Sequence, residues 1–275
     1  MGFLNLLDLA IALMYFLGAL LFVGGVLGRN RLLKRASLSG TVAGFVLHTA
    51  DLGLKVARTA EFSFAQGQFY FSLLAWIFLL IFLLVLWRQR LGFLALTAAP
   101  LALILFTSSM LVNTAKLPFP SELAGLWFGL HVAALFFSIG LLGMAFGSGL
   151  GYIYLDRQIK NKTKPSKYRK SLPSLTSFDR INHWAVSIGF PLFTVGVLAG
   201  FLWARFTWDR IFSWDPKELV SIVIWFLFAY LFHQRLAMGW KGRKPARLAS
   251  WIFVFCIVSM LVVNFYLPTH HSFRP

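Results

Sequence analysis

The chain has 275 residues, 59% of them hydrophobic and 13% charged, with a mean hydropathy of +0.74. That much apolar surface exceeds what one soluble domain can bury, so the composition excludes a soluble globule and implies an integral membrane protein. A net charge of +17 would point to nucleic acid in a soluble protein; here the basic residues fall in particular loops, and no nucleic-acid partner is expected.

In chain order, apolar runs near the ~20 residues that cross a hydrocarbon core of ~30 Å occur at about 8–27, 37–56, 69–87, 92–112, 124–150, 183–204, 217–236 and 248–267. They predict an all-α, polytopic membrane protein with eight transmembrane helices, and their unbroken length argues against a β-barrel. Nineteen of the 26 Lys and Arg lie in alternate loops: Arg29, Arg31, Lys34 and Arg35, then Arg88 and Arg90, then eight within 157–180 and five within 235–247. The positive-inside rule makes those loops cytoplasmic and puts both termini and residues 203–218 on the outer, periplasmic side. The first run has no basic flank before it, so no cleavable signal peptide is expected. The polar stretch 156–182 reads as a cytosolic basic linker between a five-helix N-terminal region, 1–155, and a three-helix C-terminal region, 183–275. The fifth run stays apolar to about residue 155, long enough to tilt or project from the bilayer. Cys256 has no partner cysteine, and no nucleotide-binding loop, HExxH or CxxC pattern is present.

The segment WARFTWDRIFSWDPKE, residues 203–218, concentrates Trp203, Trp208, Phe212 and Trp214 among Arg205, Arg210, Lys217, Asp209, Asp215 and Glu218. Asp215, Pro216 and Glu218 have the spacing of an N-cap, a first helical position and the partner of a capping box, so a helix should begin there. Trp208, Ile211 and Phe212 would share one face of a short amphipathic helix lying along the membrane surface. Two readings follow: an ordinary interfacial aromatic belt, or a platform that stacks a large flat molecule while cations hold its charged edge.

The predicted topology puts His131, in the outer part of span five, and His270 and His271, beyond span eight, on the same side as that segment. Neutral imidazoles approaching from opposite faces would saturate the iron of a porphyrin resting on aromatic side chains. A core contact for His131 and a solvated terminus for the pair are the plain alternatives. His48, within span two, and His233, in the cytoplasmic half of span seven, sit at membrane depth, where an ionisable group warrants a functional hypothesis. His183 belongs to the inner interface.

These residues resemble the cytochrome c assembly family of haem-handling membrane proteins, and within it the CcsA (ResC-type) branch, whose tryptophan-rich WWD motif runs approximately WGxxWxWDPKE. Trp203, Trp208, Ser213, Trp214, Asp215, Pro216, Lys217 and Glu218 match it, along with Gly189-Phe190-Pro191, Gly196, Gly200 and His48-Thr49-Ala50. Asp209 stands where the motif usually has Gly, and Phe212 where it usually has Trp. The resemblance implies transport or presentation of haem b to the outer side of a bacterial inner membrane, or its equivalent. It further implies covalent attachment to the CxxCH motif of apocytochrome c as part of a cytochrome c synthetase. His131 and His271, or His270, would ligate the iron, and Trp203, Trp208, Phe212 and Trp214 would contact the macrocycle. Arg205, Arg210 or Lys217 would meet the propionates, Asp215 would fix the entry to span seven, and His48 and His233 are candidate stations within the membrane. No residue need act as a nucleophile, and a CcsB/ResB-type membrane partner is expected. A HemX-like regulator of tetrapyrrole synthesis, a CcmC-type haem-delivery protein and a secondary transporter of an unrelated solute are the competing readings.

Overall fold

The computed structural model describes residues 3–28, 30–58, 67–89, 95–111, 122–162 and 173–266. They form eight helices: α1 (Phe3–Leu27), α2 (Arg31–Arg58), α3 (Gly67–Gln89), α4 (Ala95–Leu111), α5 (Glu122–Lys160), α6 (Leu175–Trp208), α7 (Pro216–Leu236) and α8 (Arg243–Tyr266). Among the described residues there is no strand, in keeping with the all-α expectation. Six helices, α1, α3 and α5 to α8, are long and apolar enough to cross a membrane. For α2, which mixes apolar residues with Asp51 and Lys55, and for α4, 17 residues long, crossing rests on the sequence reading.

Helix ends follow local chemistry. Asn30 begins α2 by accepting from Leu32 N at 2.8 Å, and Ser174 caps α6 by accepting from Ser177 N at 3.2 Å, each satisfying an amide that helix geometry leaves without a carbonyl. Helix α5 runs through 39 residues, about 58 Å at 1.5 Å per residue, which exceeds a bilayer as its apolar run predicts. The stretch foreseen as a linker is helical at both ends, to Lys160 and again from Leu175.

The helices group into two compact units. In the first, α1 packs on α2 and α4, and α3 packs on α2 and α4, around buried Tyr15, Phe78, Phe82 and Phe106. In the second, α5 lies along α6, α8 packs on α5 and α7, and α7 packs on α6. Helix α5 thus joins the three C-terminal helices, although chain order groups it with the first four. The polar stretch interrupts the sequence, but it is not where the packing divides.

A polar ladder holds the α5–α6 pair in antiparallel register. His131 Nδ1 donates to Gly196 O at 2.7 Å, Ser138 Oγ to Gly189 O at 2.7 Å, and Asn182 Nδ2 to Ala145 O at 3.0 Å. Each rung lies seven residues from the next on both helices, the spacing at which a side chain returns to the same seam of a close-packed pair. Sliding one helix by a turn would break all three bonds in an environment with no water to replace them.

Just beyond the Asn182 rung, buried Arg235 donates to Asp179 Oδ1 at 2.8 Å, Asp179 O at 2.7 Å and Trp240 O at 3.2 Å. Asp179 Oδ1 also accepts from Gly242 N at 2.8 Å, so one ion pair ties α6, α7 and the turn into α8.

Candidate functional site

The end of α6 shapes the tryptophan-rich segment. Asp209 closes the helix in a left-handed conformation, φ 56° and ψ 22°, which stops α6 at Trp208. Residues 209–215 are then an irregular link into α7. The short amphipathic helix expected from Trp208, Ile211 and Phe212 is therefore not formed. A left-handed residue breaks the i to i+4 bonding that a continued helix needs. Arg205 reinforces the stop by donating to Asp209 O at 3.0 Å and pairing with the Asp209 carboxylate.

The beginning of α7 follows the sequence expectation. Asp215, 3% exposed, is the N-cap and accepts from Lys217 N at 2.8 Å. Pro216 opens the helix, and Glu218 completes the capping box through Asp215 N at 3.3 Å. Glu218 does more than the motif requires: it also accepts from Ser213 N at 2.8 Å and from Ser213 Oγ at 2.9 Å. Its carboxylate clamps the last turn of the link onto the helix, charge-assisted at the positive end of the α7 dipole. The strain of Trp214, held at φ 61°, is local to this clamp.

Two aromatic groups result. Trp203, 2% exposed, stacks on His131 with centroids 6.2 Å apart and planes at 25°. It also meets Phe128 at 4.7 Å and the edge of Trp208 at 4.9 Å. Phe212 forms a second group, edge-on to Phe201 at 6.2 Å and to Trp214 at 5.1 Å. Trp214 is 75% exposed, an indole face presented outward. Phe128 and Phe201 were not singled out from sequence, because in a membrane helix one Phe among many carries no local mark.

His131 is oriented by its own rung of the ladder. The carbonyl of Gly196 can only accept, so Nδ1 carries a hydrogen, and in a neutral ring the lone pair is then on Nε2. A Cβ on Gly200 would fall 2.5 Å from His131 Nδ1, so the imidazole can lie across α6 only where that side chain is absent.

Residues 67–271 match the model of the cytochrome c assembly protein family. The chain belongs to that family. It is 30% identical over 267 residues to the CcsA cytochrome c biogenesis protein of Chlorella vulgaris, covering 86% of this chain and 85% of that one. It is 27% identical over 253 residues to CcsA of Guillardia theta, covering 85% and 83%. With CcsA of Gloeobacter violaceus it shares 43% identity over 97 residues, 35% of this chain but only 29% of the relative. In several such shorter alignments the chain spans about a third of the relative's length.

Within this cytochrome c assembly chain the departures from the motif acquire physical meaning. Position 209 is left-handed, which explains a usual Gly there; Asp is one of the few other residues that visit this conformation readily, and Arg205 holds it. Phe212 keeps an aromatic edge contact without an indole N–H to satisfy.

The remaining histidines are dispersed. His233 is exposed on α7, 18 residues after Asp215 and so about 27 Å along the axis. His48 is fully buried in the first unit, bonded at Nδ1 by Tyr15 Oη at 2.9 Å and at Nε2 by Ser72 Oγ at 2.8 Å. His183 is part-buried near the start of α6. His270 and His271 lie outside the described residues.

Proposed function

We propose that this chain holds haem against residues 203–218 and presents it for covalent attachment to the CxxCH motif of apocytochrome c, together with a CcsB/ResB-type membrane partner. The observation that carries this reading is His131. Its Nδ1 is tied to Gly196 O and its ring is packed on Trp203, which opens the tryptophan-rich segment. His271 would hold the iron from the other face, with His270 as its rival. Trp203 and Trp208 line the ligand on the His131 side, and Phe212 and Trp214 offer a second aromatic surface. Arg205, Arg210 and Lys217 are the cations for the propionates. Arg205 is half exposed and its pairing with Asp209 is solvated, so exchanging that carboxylate for a propionate costs little.

Attachment forms a carbon–sulfur bond between each substrate thiol and a haem vinyl group, the thiol proton passing to the other vinyl carbon, with no net electron transfer. The protein's contribution is positioning, since groups held in contact react as though at high effective concentration. Of the two histidines expected at membrane depth, exposed His233 is reachable from outside its unit. His48 would have to exchange one of its two hydrogen bonds to receive iron.

The test uses purified protein and an optical spectrum. His131→Gly and His271→Gly should each shift the haem bands and stop maturation of a reporter cytochrome c, and added imidazole should partly restore it by filling the vacated position. Unchanged spectra in both variants would remove the ligand assignment.

A further inference from the structure

The first unit contains a charged group that haem handling at residues 203–218 does not use, and it precedes residue 67, where the family match begins. On α2, Asp51 is 0% exposed and its Lys55 neighbour is 18% exposed. Lys55 Nζ lies 2.8 Å from Asp51 Oδ2 and 2.9 Å from Asp8 Oδ1 on α1. Asp51 Oδ1 has no hydrogen-bond partner among the described residues. Tyr15 and His48 sit next along the same seam, joined to each other and to Ser72 of α3.

The charges do not balance. Two carboxylates share one ammonium, which leaves a net charge of −1 if both are ionised, in a place where an uncompensated charge is costly. Among the residues whose side chains are described, no other element supplies the missing cation. The described part of α4 has no ionisable residue, and Arg88 of α3 is exposed at the far end of its helix. His48 has both nitrogens engaged by hydroxyls, which suits the neutral ring.

We propose that the Asp8–Lys55–Asp51 group is a proton-binding site. Asp51 carries the proton, and Asp8 and Lys55 exchange it with water at the N-terminal end of α1. The step is balanced: Asp8 takes a proton from a hydronium ion, which becomes water, Lys55 gives one to Asp51 and regains one from Asp8, and the group passes from −1 to neutral. Loss of the proton restores the charge between α1 and α2, so the occupancy of this site couples local pH to the packing of the first unit.

Infrared spectroscopy of the full chain in lipid vesicles tests this without a bound ligand. Wild-type protein labelled with 13C-aspartate should show, at neutral pH, a protonated-carboxyl C=O band that shifts in deuterated water. Asp51→Asn should abolish the band, whereas Asp215→Asn and Asp179→Asn should retain it. Lys55→Met should keep the band but slow its deuterium exchange roughly a hundredfold, the scale on which a positioned proton-transfer group acts. Absence of any protonated aspartate band in the wild type overturns the proposal and reduces the trio to an ion pair. Conversion of the band to a carboxylate on adding sodium, but not choline, also overturns it, making the missing cation a metal ion.

Discussion

Gly200 shows how one methyl group can decide where a side chain lies. Alanine is intrinsically better than glycine in a helix by ~1 kcal/mol, yet its Cβ would meet His131 Nδ1 at 2.5 Å. Gly200→Ala should therefore leave the protein abundant while lowering the haem-to-protein ratio severalfold, because the ring must leave Gly196 O. Equal loss of haem and protein on immunodetection would mean that the contact serves folding alone. Asp209 makes the opposite case. Its left-handed backbone costs a non-glycine residue ~1 kcal/mol, so Asp209→Gly should raise thermal stability in detergent slightly and keep haem binding. A clear fall in melting temperature would show that the Arg205 pair outweighs the backbone strain.

At the scale of an element, the α5–α6 ladder and the start of α7 separate structure from binding. Ser138 and His131 occupy equivalent rungs, but only His131 is a proposed ligand. Ser138→Ala should cost about 0.5–1.5 kcal/mol of stability and leave the haem spectrum unchanged, whereas a shifted spectrum would mean that the register itself sets the ligand. For α7, Asp and Asn are equivalent N-caps while Ala loses ~1 kcal/mol. Haem occupancy should accordingly survive Asp215→Asn and fall in Asp215→Ala. If Asn fails as badly as Ala, the negative charge matters in its own right. The cap was legible in the sequence because Asp-Pro-Lys-Glu encodes it within four residues. The clamp from Glu218 to Ser213 was not, since the sequence does not say where an irregular link doubles back, and the helix drawn through Trp208 and Phe212 missed the stop at Asp209 for the same reason.

For the molecule as a whole, the Arg235–Asp179 pair and the proposed haem site sit at different places along the helices of the second unit. Asp179→Ala would leave buried Arg235 without its carboxylate, a loss of roughly 3–5 kcal/mol. The variant should be scarce in membranes, yet the protein that survives should carry haem at the normal ratio; normal abundance would show the pair to be dispensable. Sequence by itself determined the all-helical character, the position of each apolar run and the family, because hydropathy and a compact motif are local properties that no neighbour can alter. Only the tertiary structure decided that α5 packs with the last three helices, that His131 points its Nδ1 at a specific carbonyl, and that Asp51 and Lys55 meet Asp8. Those outcomes depend on which surfaces come within hydrogen-bonding distance across tens of residues, and neither composition nor periodicity carries that information.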